Sequence, residues 1–90
     1  MHWVYILTNK SNSTLYVGVT RNIKLRIAQH RPGDGSEFVK KYNLKRLVYA
    51  ESCDSAMDAI EREKQIKRWR REKKDALIEE RNPRWREIEL

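Results

Sequence analysis

The first twenty residues form two apolar runs separated by one polar break. Trp3 to Thr8 (WVYILT) is β-branched and aromatic, and apolar at both parities, as in a strand covered on both faces. Thr14 to Thr20 (TLYVGVT) repeats the pattern, and Asn9 to Ser13 (NKSNS) between them has turn composition. Two strands with so short a connection predict an antiparallel hairpin, with the first strand central. The period then changes. Thr20 or Asn22 can cap a helix from Arg21 to Arg31, which Pro32-Gly33-Asp34-Gly35 ends. Ser36 to Tyr42 suits a short helix, and Lys45 to Ser52 (KRLVYAES) a third strand. Asp54 or Ser55 can cap a long helix reaching Trp69; a further helical stretch runs to Glu80, where Asn82-Pro83 stops it. The main elements run β-β-α-β-α-α, without repeats, low-complexity tracts or linkers.

Several polar side chains fall where this pattern calls for apolar ones. At about 100° per residue, Arg26 and His30 share the inward-leaning face of the first helix with Ile23 and Ile27, and form an i, i+4 pair on it. On the long helix, Ala56, Ala59, Ile60 and Ile66 define an apolar stripe with Glu63 in its middle. A carboxylate on a core-facing stripe is costly unless paired or bound to a metal. One reading is a structural Glu63–Arg26 ion pair. The other is a carboxylate holding a divalent cation near an arginine and a histidine, a constellation suited to phosphate chemistry. Side chains alternate across a strand, so Trp3, Tyr5 and Leu7 share one face, as do Tyr16, Gly18 and Thr20. Patterning alone makes Tyr5 and Tyr16 core aromatics with wet hydroxyls. Gly18 weakens a strand, and is best explained if another group approaches the backbone there.

Composition narrows the class. The chain has 90 residues, a net charge of +7 and eight aromatics, which supports one domain spanning 1–90 with a real but small core. No apolar run approaches the roughly 20 residues of a membrane span. The N-terminus lacks a signal-peptide pattern, so a cytoplasmic location without membrane attachment is expected. The single cysteine, Cys53, excludes an internal disulfide framework and a cysteine-only zinc site. The basic excess points to a polyanion, and is uneven. Residues 1–53 hold nine Lys/Arg against three Asp/Glu, whereas 54–90 hold eleven against ten. Within the second half, Arg62 to Lys74 (REKQIKRWRREKK) concentrates eight basic residues. It reads either as a solvated helix face or as a phosphate-contacting surface carried by Arg68, Arg70, Arg71, Lys73 and Lys74.

VYILTNKSNSTLYVGVT, followed by an arginine and a histidine on the next helix and a glutamate in EREKQIKRW, resembles the GIY-YIG nuclease superfamily, above all its small stand-alone bacterial members. Trp3-Val4-Tyr5 and Tyr16-Val17-Gly18 stand at its two signature tripeptides, departing from them at Trp3, Val4 and Val17. The resemblance implies a small three-stranded, largely antiparallel sheet flanked by helices. It implies Arg26 as catalytic arginine, His30 as its companion, Glu63 as ligand of one Mg²⁺ or Mn²⁺, and a tyrosinate from Tyr5 or Tyr16 as base. A late asparagine of some members corresponds to Asn82. The implied activity is metal-dependent hydrolysis of phosphodiester bonds in DNA, structure-selective or weakly sequence-selective, with a role in DNA repair or recombination. With no separate reading head in 90 residues, targeting would fall to a partner protein. Two alternatives stay open: a nucleic-acid-binding module with little cleavage activity, and a nuclease acting on RNA. Trp69 is expected to pack beneath the basic run rather than stack on a base, and Trp85 to pin the C-terminal tail.

Overall fold

A computed structural model describes residues 1–30 and 37–90; the side chains of His30 and Glu37 lie outside the description, as does the Pro32–Gly35 breaker. Strands β1 (His2–Thr8), β2 (Leu15–Thr20) and β3 (Arg46–Cys53) form one antiparallel sheet in the order β2-β1-β3. The doubly apolar strand is therefore central, as its pattern requires. Around it stand α1 (Ile23–His30), α2 (Glu37–Lys41), α3 (Ala56–Arg68) and α4 (Arg71–Arg81).

Each face of the sheet has its own core. Tyr5 and Leu7 of β1 pack with Ile23 and Ile27 of α1, Val39 of α2, Leu44 and Leu47. Val4 and Ile6 pack on the opposite side with Val17, Val48, Tyr49, Ala59 and Ile66 of α3, and Ile78 of α4. The β1–β3 register shifts between Ile6 and Leu7 because β3 carries one extra residue there. This bulge turns both Val48 and Tyr49 toward the α3–α4 side.

Local chemistry fixes the junctions. Asn22 caps α1, its Oδ1 accepting from the Leu25 amide at 3.1 Å, while Thr20 Oγ1 accepts from the Asn22 amide at 3.2 Å. Ser55 rather than Asp54 caps α3, accepting from the Asp58 amide at 3.1 Å. In the β1–β2 turn, Asn9 Oδ1 accepts from the Ser13 amide at 2.9 Å, and Asn12 adopts a left-handed φ of 58°.

Two helix faces differ from the sequence pattern. Ile60 is 41% exposed and Ala56 is exposed too; the buried residues of α3 are Ala59 and Ile66. The stripe is thus rotated, and Glu63 stands on its flank instead of its middle. Two buried residues about two turns apart suffice to seat α3, so Ile60 is left at the rim. Arg26 likewise is exposed rather than inward-facing, because Ile23 and Ile27 already fill the space against Tyr5 and Leu7.

Candidate active site

Tyr5 is the anchor of the site. It is 1% exposed and lies opposite Gly18 on the edge strand β2. A Cβ placed on Gly18 would stand 2.6 Å from both Cζ and the hydroxyl oxygen of Tyr5. The approach that makes glycine necessary is therefore the Tyr5 ring, lying across the backbone toward the sheet edge. The hydroxyl is not wet: it shares a hydrogen bond with Tyr16, whose ring centroid is 6.2 Å away. Tyr16 itself is half-buried.

The edge position lets groups from both sides of the sheet act on one hydroxyl. Burial is the main reason the Tyr5 phenol ionises well above the usual tyrosine range. Tyr16 adds to the rise through charge and hydrogen bond, the Arg26 guanidinium opposes it, and the Glu63 carboxylate adds to it. Arg26 from α1 and Glu63 from α3 are thus both within electrostatic reach of Tyr5. The Glu63 side chain is 21% exposed, and Lys67 Nζ lies 3.5 Å from its Oε1. That i, i+4 pair, rather than one with Arg26, is the ion pair Glu63 makes among the described residues. One half-buried carboxylate suits a hard cation such as Mg²⁺, which keeps several waters and takes few protein ligands.

The other expected residues divide. The His30 side chain lies outside the described residues. Asn82 is the C-cap of α4, with its amide engaged by Val48 O at 3.0 Å and Arg86 O at 2.8 Å, and its Oδ1 by the Arg86 amide at 3.0 Å. Those bonds hold the tail against β3, on the α4 side. Of the basic run, Arg71 is a latch: it pairs with Asp75 at 2.7 Å and donates to the Ser13 and Asn12 carbonyls of the hairpin turn. Its guanidinium also lies over Trp85. Lys73 and Arg62 sit over the Trp69 ring at 4.4 and 5.3 Å, so Trp69 packs beneath the run as expected. Arg68 and Arg70 are exposed. Reversing Arg68 and Arg70 to Glu should weaken nucleic-acid binding and flatten its salt dependence, whereas Arg71→Ala should chiefly lower the melting temperature. Salt-titrated binding alongside thermal melts checks this; equal binding losses for Arg71→Ala at unchanged stability would contradict it.

Two features escaped the pattern. One is a second buried tyrosine, Tyr49, whose hydroxyl donates to Glu51 Oε1 at 2.5 Å; Arg62 Nε lies 3.1 Å from Glu51 Oε2. Burial first, then the Glu51 hydrogen bond and charge, push the Tyr49 phenol up to about 12. Only the bulge brings Tyr49 to this side, and a bulge has no clear sequence signal. The second is a row of rings. Tyr16 lies 6.4 Å from Phe38, and Phe38 lies 4.8 Å from Tyr42. The i, i+4 spacing of Phe38 and Tyr42 was the available signal.

Both raised phenols link folding to pH. Unfolded tyrosine ionises near pH 10, and the folded groups hold their protons above that. The unfolded chain therefore binds fewer protons above pH 10, and stability, fully present below it, falls as pH rises further. Melting temperature should drop from about pH 10 upward, and Tyr49→Phe should shallow that drop. A pH-independent melting temperature up to pH 11.5, a value about 1.5 units above the unfolded tyrosine pKa, would contradict it.

Comparison with known proteins shows the family. The family model of the GIY-YIG catalytic domain matches residues 1–75. The chain belongs to that family of endonucleases. A UPF0213 protein of Staphylococcus haemolyticus is 44% identical over 80 residues, covering 89% of this chain and 96% of the relative. One from Natronomonas pharaonis is 38% identical over 77 residues, covering 86% of this chain and 89% of the relative. The solution NMR structure of a UPF0213 protein from Bacillus halodurans superposes with a TM-score of 0.60 at 30% identity, covering 93% of this chain and 88% of that one. Nucleases of this family generally depend on a divalent metal and act on nucleic acid. Among the described residues, no helix is long and apolar enough to cross a membrane.

Proposed function

We propose that residues 1–90 act as one catalytic domain, a metal-dependent endonuclease that hydrolyses phosphodiester bonds in DNA. The supporting observation is convergence on the buried Tyr5: the Tyr16 ring lies 6.2 Å from its own, and Arg26 of α1 and Glu63 of α3 both bear on its ionisation. Glu63 would hold one Mg²⁺ or Mn²⁺, which supplies Lewis-acid stabilisation of phosphoryl charge when bound. Arg26, exposed at the rim, meets a phosphodiester without desolvating a buried guanidinium, and neutralises charge that develops on its oxygens. Tyr16 is the better candidate to take the proton of the attacking water, because it is half-buried where Tyr5 is 1% exposed. Tyr5 is a positioning residue: its elevated pKa keeps it protonated, so it can hold the Tyr16 oxygen in place through their hydrogen bond. His30 is proposed as a proton relay and Arg68 and Arg70 as backbone contacts; Lys73, Lys74 and Arg71 contribute charge at long range. Asn82 acts on the site only through the tail it secures. DNA repair or recombination in the cytoplasm is the setting that suits a structure-selective enzyme, and a partner protein would supply targeting.

The assignment of the two tyrosines is tested by phenylalanine substitution. Tyr16→Phe should lower the cleavage rate by about 10²-fold or more, and Tyr5→Phe by much less, with an altered pH profile. A larger loss for Tyr5→Phe at unchanged stability would reverse the roles.

A further inference from the structure

We propose that Tyr16, Phe38 and Tyr42 form a stacking track for unpaired nucleotides of the DNA strand entering the site, so that the favoured substrate carries a single-stranded segment beside the scissile bond. This rests on the nuclease reading for its substrate, but stands on separate observations. Phe38 and Tyr42 are 45% and 40% exposed, side by side at 4.8 Å. They are continuous with the candidate active site through Tyr16, 6.4 Å from Phe38. Burying a ring is worth more than leaving it in water, and single exposed rings are ordinary, but a contiguous row ending in a candidate active site is not.

The row is held rigidly. Val39 and Leu44 are buried in the core between α1 and the sheet. The Leu44 amide donates to Val39 O at 2.9 Å, the Tyr42 amide to Phe38 O at 3.1 Å, and Asn43 takes a left-handed φ of 56° to close the turn. With Val39 and Leu44 fixed inward, Phe38 and Tyr42 are fixed outward, and their order is in place before any ligand arrives.

Charge identifies the occupant. From Phe38 to Arg46 the sequence holds Lys40, Lys41, Lys45 and Arg46 and no acidic residue. Lys40, Lys41 and Lys45 are exposed, and Lys41 Nζ lies 5.5 Å from the Tyr42 ring centre. Aromatic faces interleaved with cations match a strand whose bases stack while its phosphates are neutralised. In a duplex both faces of each base are already covered by neighbours, so rings on an outer surface select bases that are unpaired and turned out.

The test is fluorescence anisotropy with a labelled twelve-nucleotide thymidine strand and a blunt duplex, in EDTA so that binding is read without cleavage. The Phe38→Ala/Tyr42→Ala double variant should lose about 10-fold or more in single-strand affinity, with duplex affinity changed less than about twofold. Phe38→Tyr should retain binding. Should the double variant fold poorly by thermal melt, the single variants Phe38→Ser and Tyr42→Ser carry the same comparison. Unchanged single-strand affinity, or equal losses for strand and duplex, overturns the proposal. A concentration-dependent dimer that disappears in Phe38→Ala, with strand binding intact, overturns it too and assigns the rings to a self-interface. A protein that cleaves nothing but shows the single-strand effect refutes the nuclease reading alone. Cleavage that persists in variants with unaltered strand binding refutes the track alone.

Discussion

Replacing Glu63 by Gln is expected to lower metal-dependent DNA cleavage by about 10³-fold or more, with the fold intact. Glutamine keeps the shape and hydrogen-bonding reach of the side chain and removes the charge that would hold a divalent cation. The contact with Lys67 that is also lost is an i, i+4 pair on a helix surface, worth about 0.5 kcal/mol at most. The flank position of Glu63 on α3 is what makes the experiment clean. A carboxylate in the middle of the buried stripe would bring a folding change with its removal, and the two effects would be hard to separate. Cleavage assays over a Mg²⁺ and Mn²⁺ titration, read beside thermal melts, decide it. Activity that survives in Glu63→Gln would take the metal away from this residue.

Gly18→Ala should be strongly destabilising for the addition of a single methyl group. The new Cβ would meet Cζ and the hydroxyl of Tyr5 at 2.6 Å, and Tyr5 is too deeply buried to swing aside. Either the ring tilts into α1 or β2 lifts from β1, and overpacking of this kind costs about 1–3 kcal/mol. In a domain of this size that is a fall in melting temperature of about 5–20 °C. Because the displaced group is the one that holds Tyr16, activity should fall further than the stability loss explains. A melting temperature equal to wild type would mean that the ring does not cover Gly18.

How legible this molecule was depends on the kind of signal. The three strands, the central place of Trp3–Thr8, and the breaks at Asn9–Ser13 and Asn82-Pro83 follow from apolar parity and turn chemistry, which are local. The need for a close approach at Gly18 was readable too, though not that Tyr5 supplies it. Rotational phase was less readable. Ile60 looked like core because it is apolar, and Arg26 looked inward because it lies about 60° from Ile23; three-dimensional packing leaves both at the surface. The Arg71 latch onto Asn12 and Ser13 joins positions almost 60 residues apart in sequence. Tyr49 reaches its side of the sheet through a bulge. Neither leaves a periodic trace. The order Tyr5, Tyr16, Arg26, Glu63 was carried by family likeness, and the fold brings Arg26 and Glu63 within electrostatic reach of Tyr5.

The most direct test of the central claim is cleavage of end-labelled branched, flapped, nicked, single-stranded and duplex DNA by the wild-type protein across a divalent-metal titration. The account predicts strand scission that rises with Mg²⁺ or Mn²⁺, vanishes in EDTA and vanishes in Glu63→Gln. DNA binding without metal-dependent scission of any of these substrates would contradict it, and would make this chain a binding module on a nuclease fold.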